Sequence, residues 1–190
     1  MVLAEIISST LLLVAFIDPF VSLAALMSIH RSQKINIRRT VASSIAIAGA
    51  LMLLFIILGT SLLTFFNISL GAFKIGGGFV ILILGIQNVL GIEFGNPKEM
   101  SGIAVVIGTP LIAGPGVATT LMLMKDNYGF LIPLVATVLS LGITWIFLIT
   151  GEKIEKIMGR QMMLVFSRII GLFLTGFAAQ LIVEGIKSFF

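Results

Sequence analysis

The sequence predicts an all-α integral membrane protein: six transmembrane helices forming two inverted three-helix repeats, with spans one and four discontinuous. Three observations carry that prediction. Hydrophobic residues make up 58% of the 190 residues and charged residues 11%, and the mean hydropathy is +1.20. So few charges cannot clothe a soluble globule of this size. No charge falls between Thr40 and Phe73, Met100 and Met124, or Asn127 and Gly151, and each run exceeds the roughly 20 apolar residues that a membrane-crossing helix needs. Finally, two stretches of the first half recur in the second at nearly one offset.

Taken in order, the spans are expected at 3–30, 41–64, 70–92, 101–124, 128–150 and 163–186. Barrel strands are excluded because runs such as Leu51 to Leu58 do not alternate apolar and polar residues. Span one is interrupted by Asp18-Pro19. Asp is a preferred N-cap and Pro suits the first helical position, so one helix ends and another begins there, at about 3–16 and 19–30. Spans two and three are uninterrupted. Span four carries Gly114-Pro115-Gly116 and divides in the same way, into about 101–112 and 115–124. Span six is the least apolar, with Arg168, Gln180 and Glu184.

The basic residues set the orientation. Arg31, Lys34, Arg38 and Arg39 follow span one, Lys98 follows span three, and Lys153, Lys156 and Arg160 follow span five. The opposite side has only Lys125, Lys187 and Lys74, so the odd-numbered loops are expected in the cytoplasm and both termini outside. The net charge of +4 is thereby explained by topology, and no nucleic-acid partner is expected. Glu5 in place of a basic flank argues against a cleaved signal.

The repeat is visible when DPFVSLAALMSI, starting at Asp18, is set against GPGVATTLMLMK, starting at Gly114. KIGGGFVILILGI from Lys74 likewise matches RIIGLFLTGFAAQ from Arg168. The halves are 1–95 and 97–190 of a single membrane domain. An odd number of spans per half inverts the second half, an architecture of secondary transporters whose substrate site lies at the repeat interface.

Irregular backbone at membrane depth is tolerated only where protein buries it or water reaches it. The two breaks are therefore expected to meet and form a site. The helix start at Gly116, Val117 and Ala118 offers free N–H groups and a positive dipole end suited to a carboxylate. Asp18 is expected to face an ammonium group or a coupling proton, so that the two halves together read a zwitterion. Ser22, Thr119 and Thr120 supply hydroxyls, and Gly114, Gly116 and Ala118 leave room only for a small substrate. Pro19, Phe20 and Pro115 complete the candidate set. Capping alone is the structural alternative for Asp18, and backbone bonding that for the hydroxyls.

Other features weigh less. Gly76-Gly77-Gly78 lacks the lysine and strand of a phosphate loop and reads as close helix packing. Lys74 and Arg168 are expected near opposite interfaces, with a gating ion pair as the alternative. Gln87, Asn88 and Gln180 read as interhelical hydrogen bonds. With no Cys and one His, no metal site, cofactor or enzymatic chemistry is expected; His30 reads as an interfacial side chain.

Asp18-Pro19, Lys74 with Gly77-Gly78, and the run from Pro110 to Thr120 (PLIAGPGVATT) resemble the MarC-related family, which includes the SnatA small neutral amino acid transporters. The resemblance covers essentially the whole chain. It implies a multi-pass protein of the cytoplasmic (inner) membrane that carries substrates such as glycine and alanine, coupled to an ion, H+ or Na+. Where the family often has a glycine and a polar residue after Asp-Pro, this chain has Phe20-Val21, which bears on substrate preference. Asp18, the sole acid deep in a span, is the proton-coupling candidate. Efflux of drugs or metabolites is the alternative, disfavoured by the small-residue cluster; a non-transporting scaffold is another.

Overall fold

A computed structural model describes residues 2–91 and 113–190, and within them the chain is all α-helical. The helices are α1 (Val2–Ile17), α2 (Pro19–Gln33), α3 (Ile37–Phe65), α4 (Leu70–Leu90), α5 (Pro115–Tyr128), α6 (Leu131–Ile149) and α7 (Gly151–Lys187). Five stretches of the described residues are long and apolar enough to cross a membrane, the first being Val2–Arg31, which joins α1 to α2. This is a multi-pass membrane fold with one discontinuous span. The first half-helix expected for span four, 101–112, lies outside the described residues, as does the Lys98 loop.

The break in span one is a single residue. The Asp18 N–H still donates to Val14 O at 3.1 Å, closing α1, while the Asp18 carbonyl accepts from Ser22 N at 3.1 Å, opening α2. Between those two bonds Asp18 adopts φ 41°, ψ 77°, the left-handed region that Asp tolerates better than most residues. Its carboxylate Oδ1 accepts from Val21 N at 3.3 Å, which would otherwise bond the Ile17 carbonyl. The carbonyl so released accepts from the Ser22 hydroxyl at 3.2 Å. The Val21 N–H and the Ile17 carbonyl, parted by the kink, thus each find a side-chain partner.

Elsewhere the helix ends follow from ordinary capping. Asn36 caps α3 through Arg39 N at 3.1 Å, and Ser69 caps α4 through Ala72 N at 3.1 Å. Gly91 closes α4 at φ 70°. The basic segment expected as a loop after span five is instead helical and belongs to α7. That helix kinks at Gly159 (φ 72°, ψ 157°), leaving a short leg that carries Glu152, Lys153, Glu155 and Lys156. Arg31 at the end of α2 pairs with Glu155 at 2.8 Å, and His30 Nδ1 lies 2.9 Å from Ile35 O. Amphipathic charge on a short leg suits a helix lying at the interface.

The closest helix pair is α4 with α7, packed antiparallel. Gly71 lies against Gly185, Gly78 against Ala178 and Gly85 against Gly171, at steps of seven residues on both helices. A Cβ built at Gly85 would stand 2.9 Å from Gly171 O, and one at Gly185 would stand 2.7 Å from Gly71 O. Only hydrogen fits at such backbone contacts, the known route to close helix association in lipid. Around this pair, α1 packs on α6, α3 on α5 and α6, α2 on α7, and α4 on α5. The larger buried cluster includes Leu13, Leu23, Met52, Leu121, Leu148 and Met163. Leu54, Ile57, Ile83, Ile146 and Phe173 are exposed, forming apolar outer faces for which lipid is the natural solvent.

Candidate functional site

The site grows from Asp18, which the kink places inside the bundle at 5% exposure. A carboxylate held there has to be hydrogen-bonded, and three helices supply the donors. Val21 N caps Oδ1 from α2. Asn88 Nδ2, on α4, donates to Oδ2 at 3.0 Å, and the Ser167 hydroxyl, on α7, donates to the same oxygen. Asp18 therefore ties α2 to the α4–α7 pair at the discontinuity. A ligand donor or a proton arriving here would compete with Asn88 and Ser167 for one oxygen.

Aromatic rings flank the break. Two residues before Asp18, Phe16 meets Phe177 edge-on at 5.8 Å between ring centres. Two residues after it, Phe20 stacks on Phe166 at 5.4 Å and meets Phe147 edge-on at 5.0 Å. Pro19 is buried with Asp18.

The start of α5 lies against this region. A Cβ at Gly116 would stand 3.0 Å from Phe16 Cδ1 and 3.3 Å from Leu84 Cδ1, so the start of α5 neighbours the end of α1, two residues before Asp18. Gly114 occupies the N-cap without a side-chain bond, and Pro115 opens the helix. The expectation of three free N–H groups needs correction: Ala118 N donates to Gly114 O at 3.1 Å, because the N-cap carbonyl accepts the first intrahelical bond. That leaves Gly116 and Val117 in the first turn ahead of it.

Val117, Ala118, Thr119 and Thr120 are all buried. Thr119 faces Gly77 so closely that a Cβ there would fall 2.1 Å from Thr119 Cγ2. The buried Thr120 hydroxyl has no hydrogen-bond partner among the described residues, and Thr120 borders a cavity between α1, α4, α5 and α7. Ser22 gathers at the break as expected, but its hydroxyl proton is spent on Ile17 O.

Asn88 was legible only as an interhelical hydrogen bond, which it makes, though to Asp18. Ser167 went unnoticed. Its signal was available in the buried stripe of α7, Met163, Ser167, Gly171, Leu174, Ala178, whose spacing of four, four, three and four puts it on the inner face. Gln180 bonds within its own helix, to Glu184 at 3.0 Å, rather than between helices. Lys74 pairs with Glu184 at 3.1 Å, while a Cβ at Gly91, where α4 ends, would stand 2.9 Å from an Arg168 guanidinium nitrogen. Among the described residues no group of three or more His, Cys, Asp or Glu is placed to hold a metal.

Comparison with known proteins agrees over the full length. The family model described as MarC family integral membrane protein matches residues 3–190. A UPF0056 membrane protein of Methanocaldococcus jannaschii is 34% identical, with 92% of each chain covered. One from Buchnera aphidicola is 31% identical with 98% of each covered, and the UPF0056 inner membrane protein YhgN of Escherichia coli is 29% identical with 96% of each covered. No solved structure matches the chain.

Proposed function

We propose that this chain, which belongs to the MarC family of integral membrane proteins, is a secondary transporter of small neutral amino acids of the glycine and alanine class. Coupling to H+ or Na+ and alternating access complete the reading. The chain is a membrane protein, and this reading gives it no enzymatic role. The observation that carries the proposal is the burial of Asp18 at the kink of a membrane-spanning segment, hydrogen-bonded by Asn88 and Ser167 from two other helices. A cap alone needs Val21 and nothing more; holding an anion among movable donors suits an ammonium ion or a proton. The neighbouring glycine-rich start of α5 adds a helix N-terminus suited to the substrate carboxylate.

Inverted repeats fit the packing. Exchanging α2 with α5, α3 with α6 and α4 with α7 turns the α2–α7 contact into α5–α4 and the α2–α6 contact into α5–α3. Both contacts of each pair occur, and the α3–α6 and α4–α7 contacts map onto themselves, whereas the α5–α6 contact has no α2–α3 counterpart of similar extent. In this reading six spans cross the membrane, both termini lie outside, and the membrane is the cytoplasmic one, in keeping with the inner-membrane relative from Escherichia coli. Phe16–Phe177 and Phe20–Phe166 are then the two layers that open in turn. Small residues at the start of α5 disfavour bulky drugs as cargo.

Uptake of labelled glycine and alanine into proteoliposomes, with and without pH and sodium gradients, tests the proposal. Saturable flux that Asp18→Asn abolishes is the expected result. Absence of flux for every small neutral amino acid under all gradients refutes it.

A further inference from the structure

Between α1, α4, α5 and α7 lies a cavity of about 300 Å³ that Asp18 does not line. One wall is an ion pair: Lys74 Nζ stands 3.1 Å from Glu184 Oε2, and Gln180 Nε2 donates to Glu184 Oε1 at 3.0 Å. Another wall presents Thr120, 1% exposed, whose buried hydroxyl lacks a partner among the described residues. Buried hydroxyls are normally satisfied, and a turn of the Thr120 side chain would bring this one to a polar atom in the cavity. The remaining lining includes Leu12, Leu123 and Phe177, an apolar surface beside the charges.

We propose that this cavity is a second binding site, for a zwitterionic neutral amino acid. The chemistry follows from the pair. Opposite charges side by side cancel for a distant ion: a simple anion is repelled by Glu184 and a simple cation by Lys74. A zwitterion matches both, its carboxylate accepting from the two ammonium protons of Lys74 not given to Glu184, and its ammonium donating to Glu184. The Thr120 hydroxyl bonds the carboxylate, and the ligand side chain lies on Leu12, Leu123 and Phe177. The volume is at the small end of ligand pockets, which suits the smaller amino acids. Binding here stands on the cavity alone; its role as a waiting place before the kink rests on the transport reading.

The chain contains no cysteine, so Asn127→Cys places one thiol on the cavity lining. The full-length protein carrying it is purified in detergent, and its maleimide labelling rate is followed against L-alanine. Alanine is expected to slow labelling saturably, and equally with Asp18→Asn added. Lys74→Gln, Glu184→Gln and Thr120→Val should each raise the half-protecting concentration, the two charge variants by roughly tenfold or more, while Lys74→Arg restores most of it. Protection indifferent to all three changes overturns the proposal. So does protection that Asp18→Asn removes, since the cavity would then only close in response to the central site; the transport reading survives that result. Protection without any transport sustains this site and sinks that reading.

Discussion

The antiparallel α4–α7 interface makes a prediction whose sign changes from glycine to glycine on the same two helices. At Gly85 a methyl group would meet Gly171 O and Thr175 N, each at 2.9 Å, and at Gly171 it would meet Gly85 O at 2.8 Å. Ordinary contact begins at 3.4 Å. Backbone cannot rotate aside as a side chain does, so the helices themselves have to separate. Overpacking of this kind costs about 1–3 kcal/mol, or about 3–10 °C in melting temperature for a chain of this length. Among the described residues, Gly76 and Gly176 have nothing within 4 Å of a built Cβ, and alanine there gains about 0.5–1 kcal/mol of helix propensity. Heating detergent-purified Gly85→Ala, Gly171→Ala, Gly76→Ala and Gly176→Ala, and measuring the surviving monodisperse fraction, should therefore split the four into two losers and two neutral or improved variants. The double variant Gly85→Ala with Gly171→Ala should lose less than the two losses combined, because one separation accommodates both methyl groups. If Gly85→Ala and Gly171→Ala melt with Gly76→Ala, the described packing of α4 on α7 is wrong.

Three further outcomes follow from the geometry. Asp18→Ala removes a cap and strands the Asn88 and Ser167 donors, an expected loss of about 2–4 kcal/mol by thermal unfolding; Asp18→Asn, which still caps Val21, should lose clearly less. Gly159→Ala has open space around it but holds φ 72°, ψ 157°, so a cost of about 1–3 kcal/mol is expected from backbone strain alone, read in the same melts. Gly77→Ala drives a methyl group into Thr119, 2.1 Å from its Cγ2, and should depress both stability and uptake. Adding Thr119→Ala should recover part of the loss, and failure to recover it would separate Gly77 from α5.

How much of this was legible beforehand depends on the range of the interaction concerned. The kink at Asp18-Pro19 and the start of α5 at Pro115 are local chemistry, a cap followed by an imino acid, and the helices begin where that chemistry says. The leg of α7 before Gly159 is not legible in the sequence because Gly151 to Arg160 is too charged to span a bilayer, and a loop carries the same charge. An amphipathic turn of helix at an interface carries the same composition. Asn88 and Ser167 lie far from Asp18 along the chain, and no local pattern states which inner-face polar residue meets which acid. The pairing of Lys74 with Glu184 was hidden for the same reason. The glycines of α4 and α7 showed their spacing, but only the register between two helices reveals that they interlock.

That interlock limits which parts of the molecule are free to rearrange. With small residues recurring every seventh position on both helices, a slide of one turn would bring a bulky side chain onto a neighbour's backbone. The next equally comfortable seating is two turns away, about 10 Å along the axis, too far for a thermal excursion between packed rods. The two helices therefore act as a single stiff mast. On the transport reading, the working stroke belongs to the segments moored to it through Asp18 and Gly77, with the left-handed residue inside span one, Asp18, as the swivel.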